Sequence, residues 1–319
     1  MGEYAHPTGR MMVSTLNILM HLLLLVAMPP LLLGVINKTK AAFAGRVGPP
    51  LLQPYYDLDR LMRKGMVFST TSGWVFRAGP LAALAAVGLA GLLVPFGQAV
   101  APIRFSGDLV LFAYLFALAR FCTTTAALDT GSSFEGMGAA REVTFACFSE
   151  PALFLAFLVL ARLSGSAELS LTPILHAPAV VPLLGLPVAS LVLIAAGLFV
   201  VLLAENSRIP IDDPNTHLEL TMIHEVMVLD HSGPLFGLVL YGAAVKLFVL
   251  CAIVLHVVLP VQSGWAAADW VLFVVGMLAL AVAIGVVESG MARLQLRHVP
   301  TLLVAASLLC GFGFLLLLR

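Results

Sequence analysis

The sequence predicts an all-α polytopic membrane protein with about eight transmembrane helices and additional amphipathic interfacial helices. Hydrophobic residues make up 61% of the 319 residues and charged residues only 11%, a balance outside the range of soluble domains. Apolar runs of about 20 residues, the length that crosses the hydrocarbon core as a helix, recur along the whole chain. We therefore expect a single membrane domain over residues 1–319, located in the cell (inner) membrane.

The apolar runs give the predicted spans, and the polar segments between them give the loops. The spans are residues 13–36, 74–96, 109–127, 143–163, 180–204, 235–259, 270–287 and 301–318. The first run lacks a small-residue cleavage site, so it is interpreted as a retained helix that Pro29 and Pro30 bend. In the first loop, apolar side chains recur every three or four residues from Leu51 to Met62. This spacing predicts an amphipathic helix at the membrane surface.

The distribution of basic residues indicates the orientation. Lys and Arg concentrate in the first loop and recur in the third, fifth and seventh, whereas residues 260–268 have none. Because loops rich in Lys and Arg stay in the cytoplasm, the odd-numbered loops are predicted to be cytoplasmic and both termini to lie outside. The net charge of zero argues against nucleic acid as a partner.

The segment between the fifth and sixth spans is rich in charged residues and histidines. It contains Glu205, Arg208, Asp212, Asp213, Glu219, Glu225 and Asp230, with His217, His224 and His231 between them. Such groups cannot lie in lipid, so we interpret the segment as a cytoplasmic contact and proton-handling surface. The three histidines are spaced by seven residues and would share a face on one helix, but no separate cluster completes a metal site. We expect exposed interfacial histidines and no metal.

Charged residues also lie inside the predicted spans, where each costs roughly 2.5–3.5 kcal/mol and therefore needs a partner. Arg120, Glu150 and Lys246 lie within spans, Glu288 lies at the end of the seventh, and Asp129, Arg141 and Glu142 lie near the cytoplasmic ends of the third and fourth. Lys246 has no acidic residue within one helical turn, so it needs a carboxylate from another helix or must lose its proton. A role in taking up and releasing protons is the functional interpretation. The structural alternative is a buried pair of Arg120 with one carboxylate that only fixes helix register.

No catalytic centre is predicted for this chain alone. The sequence contains neither a Gly-rich phosphate loop nor a nucleophile elbow. Its four cysteines, Cys122, Cys147, Cys251 and Cys310, are scattered and form no Cys-x-x-Cys pair. This excludes an iron–sulfur or zinc site built by this chain alone.

Several motifs, taken in order along the chain, resemble one protein family. They are Gly48-Pro49 with Gln53 and Asp57, Ser72-Gly-Trp-Val-Phe-Arg77 with Pro80, Ala119-Arg120-Phe121, Leu128-Asp-Thr-Gly-Ser132, Gly138-Ala-Ala-Arg-Glu142, Glu150-Pro151, Glu205 with Arg208-Ile-Pro-Ile-Asp212, Glu219-Leu220, Ser232-Gly233, Lys246, and Glu288 with Met291-Ala-Arg-Leu294. This set resembles the membrane subunit of energy-converting, group 4 nickel–iron hydrogenases, of the formate hydrogenlyase subunit 4 and hydrogenase-4 component C type. That subunit is homologous to the H-type subunit 1 of respiratory complex I.

The resemblance implies a subunit without a redox centre of its own, which anchors a soluble arm to the membrane. Iron–sulfur clusters and a nickel–iron site are then expected in partner subunits. The implied partners are the soluble large and small (iron–sulfur) hydrogenase subunits, antiporter-like membrane subunits and lipid, with quinone left open. The loop after Ile211 is less acidic than in complex I, and Lys246 is similar to a lysine of the hydrogenase branch. Both departures favour the hydrogenase branch.

Carried over residue by residue, the resemblance places Glu142, Glu150 and Glu205 on a glutamate-lined route that links redox chemistry to proton or sodium movement. With the other charges of the spans, the predicted proton pathway comprises Arg120, Asp129, Arg141, Glu142, Glu150, Glu205, Lys246 and Glu288. The predicted docking surface comprises Arg46, Gln53, Asp57, Arg208, Asp212, Asp213, Glu219, Glu225 and Asp230. The expected function is a membrane anchor and proton pathway. The alternatives are a quinone-chamber subunit, a purely structural anchor and an autonomous ion transporter.

Overall fold

A computed structural model describes residues 7–166, 168–180, 185–212, 222–260 and 263–318, and in those ranges the regular structure is helical throughout. The helices are α1 (Pro7–Phe43), α2 (Gln53–Met62), α3 (Trp74–Leu93), α4 (Asp108–Asp129), α5 (Ser133–Ser164), α6 (Leu171–His176), α7 (Leu186–Glu205), α8 (Gly233–Val258), α9 (Ala266–Gly290) and α10 (Val299–Leu317). Three short 3₁₀ helices connect them at Ala177–Val180, Glu225–Val228 and Leu296–His298.

Eight of the described helices are long and apolar enough to cross a membrane, which confirms the predicted all-α, multi-pass class. They are α1, α3, α4, α5, α7, α8, α9 and α10. The central helix is α8, since 61% of its most apolar stretch is buried, against 28–44% for the other seven. Helices α1, α3 and α7 pack on α8, and α10 packs on both α5 and α7. That the start of α1 and the end of α10 lie on one side, and that this is the outer side, stays a prediction.

Helix α1 continues past Ile36, the residue at which the first span was predicted to end, and this boundary was wrong. The helix reaches Phe43 because the charged residues of its last turns find partners. Lys38 Nζ donates to the carbonyl of Val47 at 2.7 Å, and Lys40 Nζ lies 2.8 Å from Glu288 Oε2. The prolines at positions 29 and 30 lie within the helix and do not end it. The predicted amphipathic helix of the first loop is present over α2, and its position at the membrane surface stays a prediction.

Helix α5 begins at Ser133 and not at Val143, so this predicted boundary was also wrong. Polar residues in its first turns do not end the helix because other elements supply their partners. Arg141 Nη1 donates to the carbonyl of Met222 at 2.7 Å, and Glu135 Oε1 accepts the backbone N–H of Asp230 at 3.0 Å. The fifth span was predicted to start at residue 180, but α7 starts at Leu186, after the short helix α6.

Three histidines meet at the end of α3 that lies opposite the first loop. His21 Nε2 is 3.1 Å from the carbonyl oxygen of Gly91, and His176 and His256 place Nε2 at 3.2 and 3.0 Å from that of Gly97. Burial lowers the pKa of His176, which lies outside the spans in α6, so its ring is neutral at pH 7. These contacts tie α1 to the last turn of α3, and α6 and α8 to the loop that follows it.

Helices α3 and α4 approach closely at Gly79, and this contact gives a first prediction. A Cβ atom at Gly79 would lie 2.7 Å from Ala126 Cβ and 2.9 Å from the carbonyl oxygen of Cys122. Gly79→Ala is therefore expected to push the helices apart and to destabilise the fold by roughly 1–3 kcal/mol. The measurement is thermal unfolding in detergent. The control is Gly88→Ala in the same helix, where a Cβ would meet no atom within 4 Å. Equal melting temperatures for the two variants would contradict the prediction.

Candidate functional site

Arg120 of α4 lies inside the bundle and contacts three carboxylates from two other helices. Its Nε is 3.3 Å from Glu142 Oε1, and its Nη2 is 2.8 Å from both carboxylate oxygens of Glu205. Its Nη1 donates to Glu150 Oε1. The side chains of Arg120, Glu142 and Glu205 are 11%, 9% and 8% exposed, so water screens their contacts weakly, whereas the Glu150 side chain is 44% exposed. A planar guanidinium can donate hydrogen bonds to several carboxylates at once. Arg120 therefore forms a network of three carboxylates, whereas the structural alternative predicted one ion pair.

Glu205, the last residue of α7, connects this network to the central helix. Its Oε2 lies 2.7 Å from Nζ of Lys246 in α8, and its Oε1 accepts the hydroxyl of Ser149 in α5 at 2.6 Å. The prediction that Lys246 finds a carboxylate on another helix is confirmed. We call Arg120, Glu142, Glu150, Glu205 and Lys246 the Arg120 cluster.

The formal charge of the Arg120 cluster is negative when all five groups are ionised. Three carboxylates face two cations, which leaves one negative charge uncompensated. In a low-dielectric interior such an excess charge is costly unless one additional proton or cation offsets it. Because several oxygens share the same cations, the proton affinity belongs to the cluster and not to one residue.

Positions in α5 explain why two of the carboxylates reach the same arginine. Glu142 and Glu150 lie roughly 12 Å apart along the helix axis, at 1.5 Å per residue, and face the same side. Arg120 approaches from α4 and contacts both. Pro151 lies in α5 directly after Glu150 and does not end the helix.

A cavity of about 400 Å³ adjoins the Arg120 cluster. Residues of α1, α2, α3, α4, α5, α7 and α8 line it, most of them apolar, and the charged groups Arg120, Glu142, Glu205 and Lys246 form part of its wall. A second cavity of about 10 Å³ lies between Glu142, Ser149, Glu205 and His224. That volume holds about one water molecule. The cluster thus has polar surface on two internal spaces.

A second ion cluster lies where the segment after α7 meets the ends of α1 and α9. Glu288, whose side chain is fully buried, pairs with Lys40 at 2.8 Å and with Arg208 at 3.3 Å. Asp212 pairs with Arg293 at 3.0 Å, and its other oxygen accepts the backbone N–H groups of Ile223 and His224 at 3.0 and 3.3 Å. These contacts fix both described ends of the acid-rich segment against the bundle.

Comparison with known proteins places this arrangement in a family. The sequence profile described as NADH dehydrogenase matches residues 15–318. The chain belongs to the NADH dehydrogenase family. It is 30% identical to formate hydrogenlyase subunit 4 of Escherichia coli (strain K12) over 309 residues, which cover 94% of this chain and 96% of the relative. The resemblance inferred from the motifs is thus confirmed.

Two further relatives show the breadth of the NADH dehydrogenase family. The H-type subunit of NADH-quinone oxidoreductase from Anaplasma phagocytophilum (strain HZ) is 29% identical over 76% of each chain. A chain from the structure of the membrane-bound sulfane sulfur reductase, an archaeal respiratory membrane complex, has a TM-score of 0.78 and 20% identity. The match covers 96% of this chain and 99% of the solved one, and it supports the fold.

The structure places the predicted pathway residues of this NADH dehydrogenase family chain in several locations. Five of the eight form the Arg120 cluster, and Glu288 belongs to the second ion cluster. Asp129 accepts the backbone N–H groups of Gly73 and Phe76 at 2.7 and 3.0 Å and so caps the start of α3. Arg141 holds the backbone of Met222. A role in proton movement for each of them stays a prediction.

The predicted docking residues divide into exposed and internal groups. Arg46 and Asp230 are exposed. Gln53 donates to Asp57 at 3.0 Å within α2, and Glu225 lies half-buried in a 3₁₀ helix. Arg208 and Asp212 are buried and support the segment from within. Asp213 and Glu219 lie outside the described residues.

Sequence reasoning did not assign His224 to the site, and its geometric argument for the histidines was wrong. The described part of the segment, residues 222–232, forms a short 3₁₀ helix and turns, so His224 and His231 share no α-helical face. His224 Nε2 lies 3.1 Å from Glu142 Oε2. The His231 ring packs on Phe76 at 4.1 Å, and burial lowers its pKa. His217 lies outside the described residues. Spacing alone could not find the His224 contact because His224 and Glu142 are far apart in sequence and meet only through tertiary contacts.

Proposed function

We propose that this chain is the membrane-anchoring and proton-pathway subunit of an energy-converting, hydrogenase-like complex. The observation that carries the proposal is the Arg120 cluster, in which four membrane helices bring three carboxylates, an arginine and a lysine into direct contact. A purely structural pair needs two charges, whereas this network has an unbalanced charge and two adjoining cavities. Formate hydrogenlyase subunit 4, a relative over nearly the whole length, supports the hydrogenase branch.

In this function the chain holds and moves protons while partner subunits carry the electrons. A change of charge in a partner at the cytoplasmic face would alter the affinity of the Arg120 cluster for its additional proton through the low-dielectric interior. Lys246 then breaks and re-forms its ion pair with Glu205 as the cluster gains and loses that proton. The large cavity supplies a route for water to the cluster.

The anchoring part of the proposal concerns the acid-rich segment and the first loop. Exposed charges such as Arg46 and Asp230 lie at this end of the bundle, and buried ion pairs hold the segment in place. The proposed partners are soluble large and small hydrogenase subunits, which hold the iron–sulfur clusters and nickel–iron site, together with antiporter-like membrane subunits and lipid. Co-purification followed by mass identification tests this, and the absence of any nickel-containing partner from the intact complex would contradict the hydrogenase assignment.

A quinone-chamber subunit is the second candidate, and the large cavity favours it. At about 400 Å³ the cavity is in the range of small-molecule sites, and its wall is mostly apolar with a few charged groups. The H-type relative from NADH-quinone oxidoreductase shares the family. Quinone reduction by the purified complex, inhibited by filling the cavity through Ala244→Phe, would favour this candidate. Hydrogen-linked activity that is independent of quinone favours the first.

Lys246→Met tests the proton-pathway proposal directly. The substitution keeps the length of the side chain but removes the cation next to Glu205, and we expect coupled proton movement to fall roughly 10²-fold, as for loss of a positioned proton-transfer group. The measurement is hydrogen- or ferredoxin-driven proton uptake in vesicles that contain the intact complex. The control is Arg162→Met, which removes an exposed cation in the last turn of α5. Full coupling in an assembled Lys246→Met complex would favour a purely structural anchor.

A further inference from the structure

His224 lies at the junction between the acid-rich segment and the Arg120 cluster. Its Nε2 atom is 3.1 Å from Oε2 of Glu142, whose other oxygen contacts Arg120. The His224 side chain is 26% exposed, against 9% for Glu142, so the histidine lies nearer to the surface of the chain. It is therefore in direct contact with both the segment that carries it and the buried carboxylates.

The position of His224 is fixed by contacts on both sides. Asp212 accepts its backbone N–H at 3.3 Å, and Arg141 holds the neighbouring carbonyl of Met222 at 2.7 Å. The segment lies directly on α5 because Gly138 leaves room: a Cβ there would be 2.4 Å from Val226 Cγ1 and 3.1 Å from the carbonyl oxygen of Ile223. Backbone hydrogen bonds and close packing on α5 thus hold the imidazole against Glu142.

The charge and cavities around His224 match a site that binds and passes on a proton. When His224 is an imidazolium, its positive charge balances the uncompensated negative charge of the Arg120 cluster. His224 lines both the large cavity and the cavity that holds about one water molecule, and Glu142 and Glu205 line both as well. Both ring nitrogens of His224 are buried and neither makes a hydrogen bond among the described residues, so the 3.1 Å approach of Nε2 to Glu142 is a charge contact. The small cavity that His224 lines has room for one water molecule as a hydrogen-bond partner.

We propose that His224 is the protonatable residue that transfers protons between the acid-rich segment and Glu142, and so sets the charge of the Arg120 cluster. The inference rests on the proposed function and adds the residue through which the proton reaches the cluster. A proton bound at Nδ1 lets the imidazolium release its Nε2 proton to Glu142 Oε2, after which the neutral ring returns to its starting tautomer by turning over or exchanging with water. The charged groups around it are Glu142, Glu205, Asp212, Glu225, Arg120, Arg141 and Lys246.

The test compares three histidine variants in the intact complex reconstituted into vesicles, with coupled proton uptake measured between about pH 5 and pH 8, where an imidazole titrates. His224→Gln keeps a polar side chain of similar length but cannot carry a proton, and we expect uptake to fall roughly 10²-fold at pH 7 and the histidine-dependent bend of the pH profile to disappear. His224→Ala should lose coupling similarly and regain it when imidazole is added. His231→Gln is the matched control, a buried histidine of the same segment whose neutral ring packs on Phe76.

The outcomes separate this inference from the proposed function when Glu205→Gln is measured in parallel. Loss of coupling in Glu205→Gln with a wild-type rate and pH profile in His224→Gln would overturn the role of His224 alone. The role of His224 would also be overturned if His224→Gln lost the same share of coupled uptake at every pH and imidazole did not restore uptake in His224→Ala. A structural role of the side chain would explain that result. Full coupling in both Glu205→Gln and His224→Gln would overturn the proposed function as well.

Discussion

Glu205→Gln is expected to abolish coupled proton movement and to destabilise the bundle by about 3–5 kcal/mol, the cost of breaking a buried ion pair by removing one partner. Glu205 is the residue that joins Arg120 to Lys246, at 2.8 and 2.7 Å. Glutamine keeps the shape of the side chain but leaves Lys246 without its carboxylate. The measurements are proton uptake in vesicles and thermal unfolding of the purified complex.

A double variant separates the two effects of Glu205→Gln. Adding Lys246→Met removes the stranded cation, so stability should partly return while coupling stays lost. The control Glu168→Gln neutralises an exposed carboxylate between α5 and α6 and should change neither property. If Glu205→Gln unfolds at the wild-type temperature and retains full coupling, the ion pair with Lys246 has no role in the native state.

Arg120→Leu is expected to have the largest effect on assembly. It leaves two buried carboxylates, Glu142 and Glu205, and the partly exposed Glu150 with Lys246 as the remaining cation, so the buried carboxylates must bind protons or separate, at a cost of about 3–5 kcal/mol. We expect little intact complex in the membrane. The measurement is the amount of assembled complex, by native electrophoresis and mass spectrometry of the partner subunits.

Arg120→Lys distinguishes charge from geometry at the same position. Lysine restores the cation, but its single ammonium cannot reproduce the planar fork that contacts three carboxylates, so assembly should recover only in part. Arg297→Leu, at an exposed arginine, is the control for the loss of a positive charge. Wild-type assembly in Arg120→Leu would show that the carboxylates do not depend on Arg120.

The two ion clusters indicate how the acid-rich segment and the interior of the helix bundle are connected. Arg208, which pairs with Glu288, follows Glu205 by only three residues. One short stretch of chain therefore takes part in both clusters. A partner that shifts the acid-rich segment would move Arg208 and Glu205 together. This is a mechanical route, in addition to the electrostatic one, by which docking could alter proton affinity.

The sequence by itself determined the class of the protein, the approximate number of spans and most members of the Arg120 cluster. It did so because the cost of a charged residue in lipid makes Arg120, Glu150 and Lys246 conspicuous within apolar runs. Helix boundaries were less certain from sequence, as α5 shows. From sequence, Arg141 and Glu142 were placed before the start of the fourth span because they are charged. A charged residue can lie within a membrane helix where a partner group on another element compensates its charge.

Only the tertiary structure decided which charges meet. Hydropathy gives each residue a depth in the membrane, but it gives neither the direction of a side chain around its helix nor its neighbour. Glu205 and Lys246 therefore could not be paired from spacing, and Asp129 could not be recognised as the cap of α3. His224 is the clearest case: its contact with Glu142 depends on residues 222–232 lying over α5, and their position is set by Asp212, Arg141 and the space at Gly138.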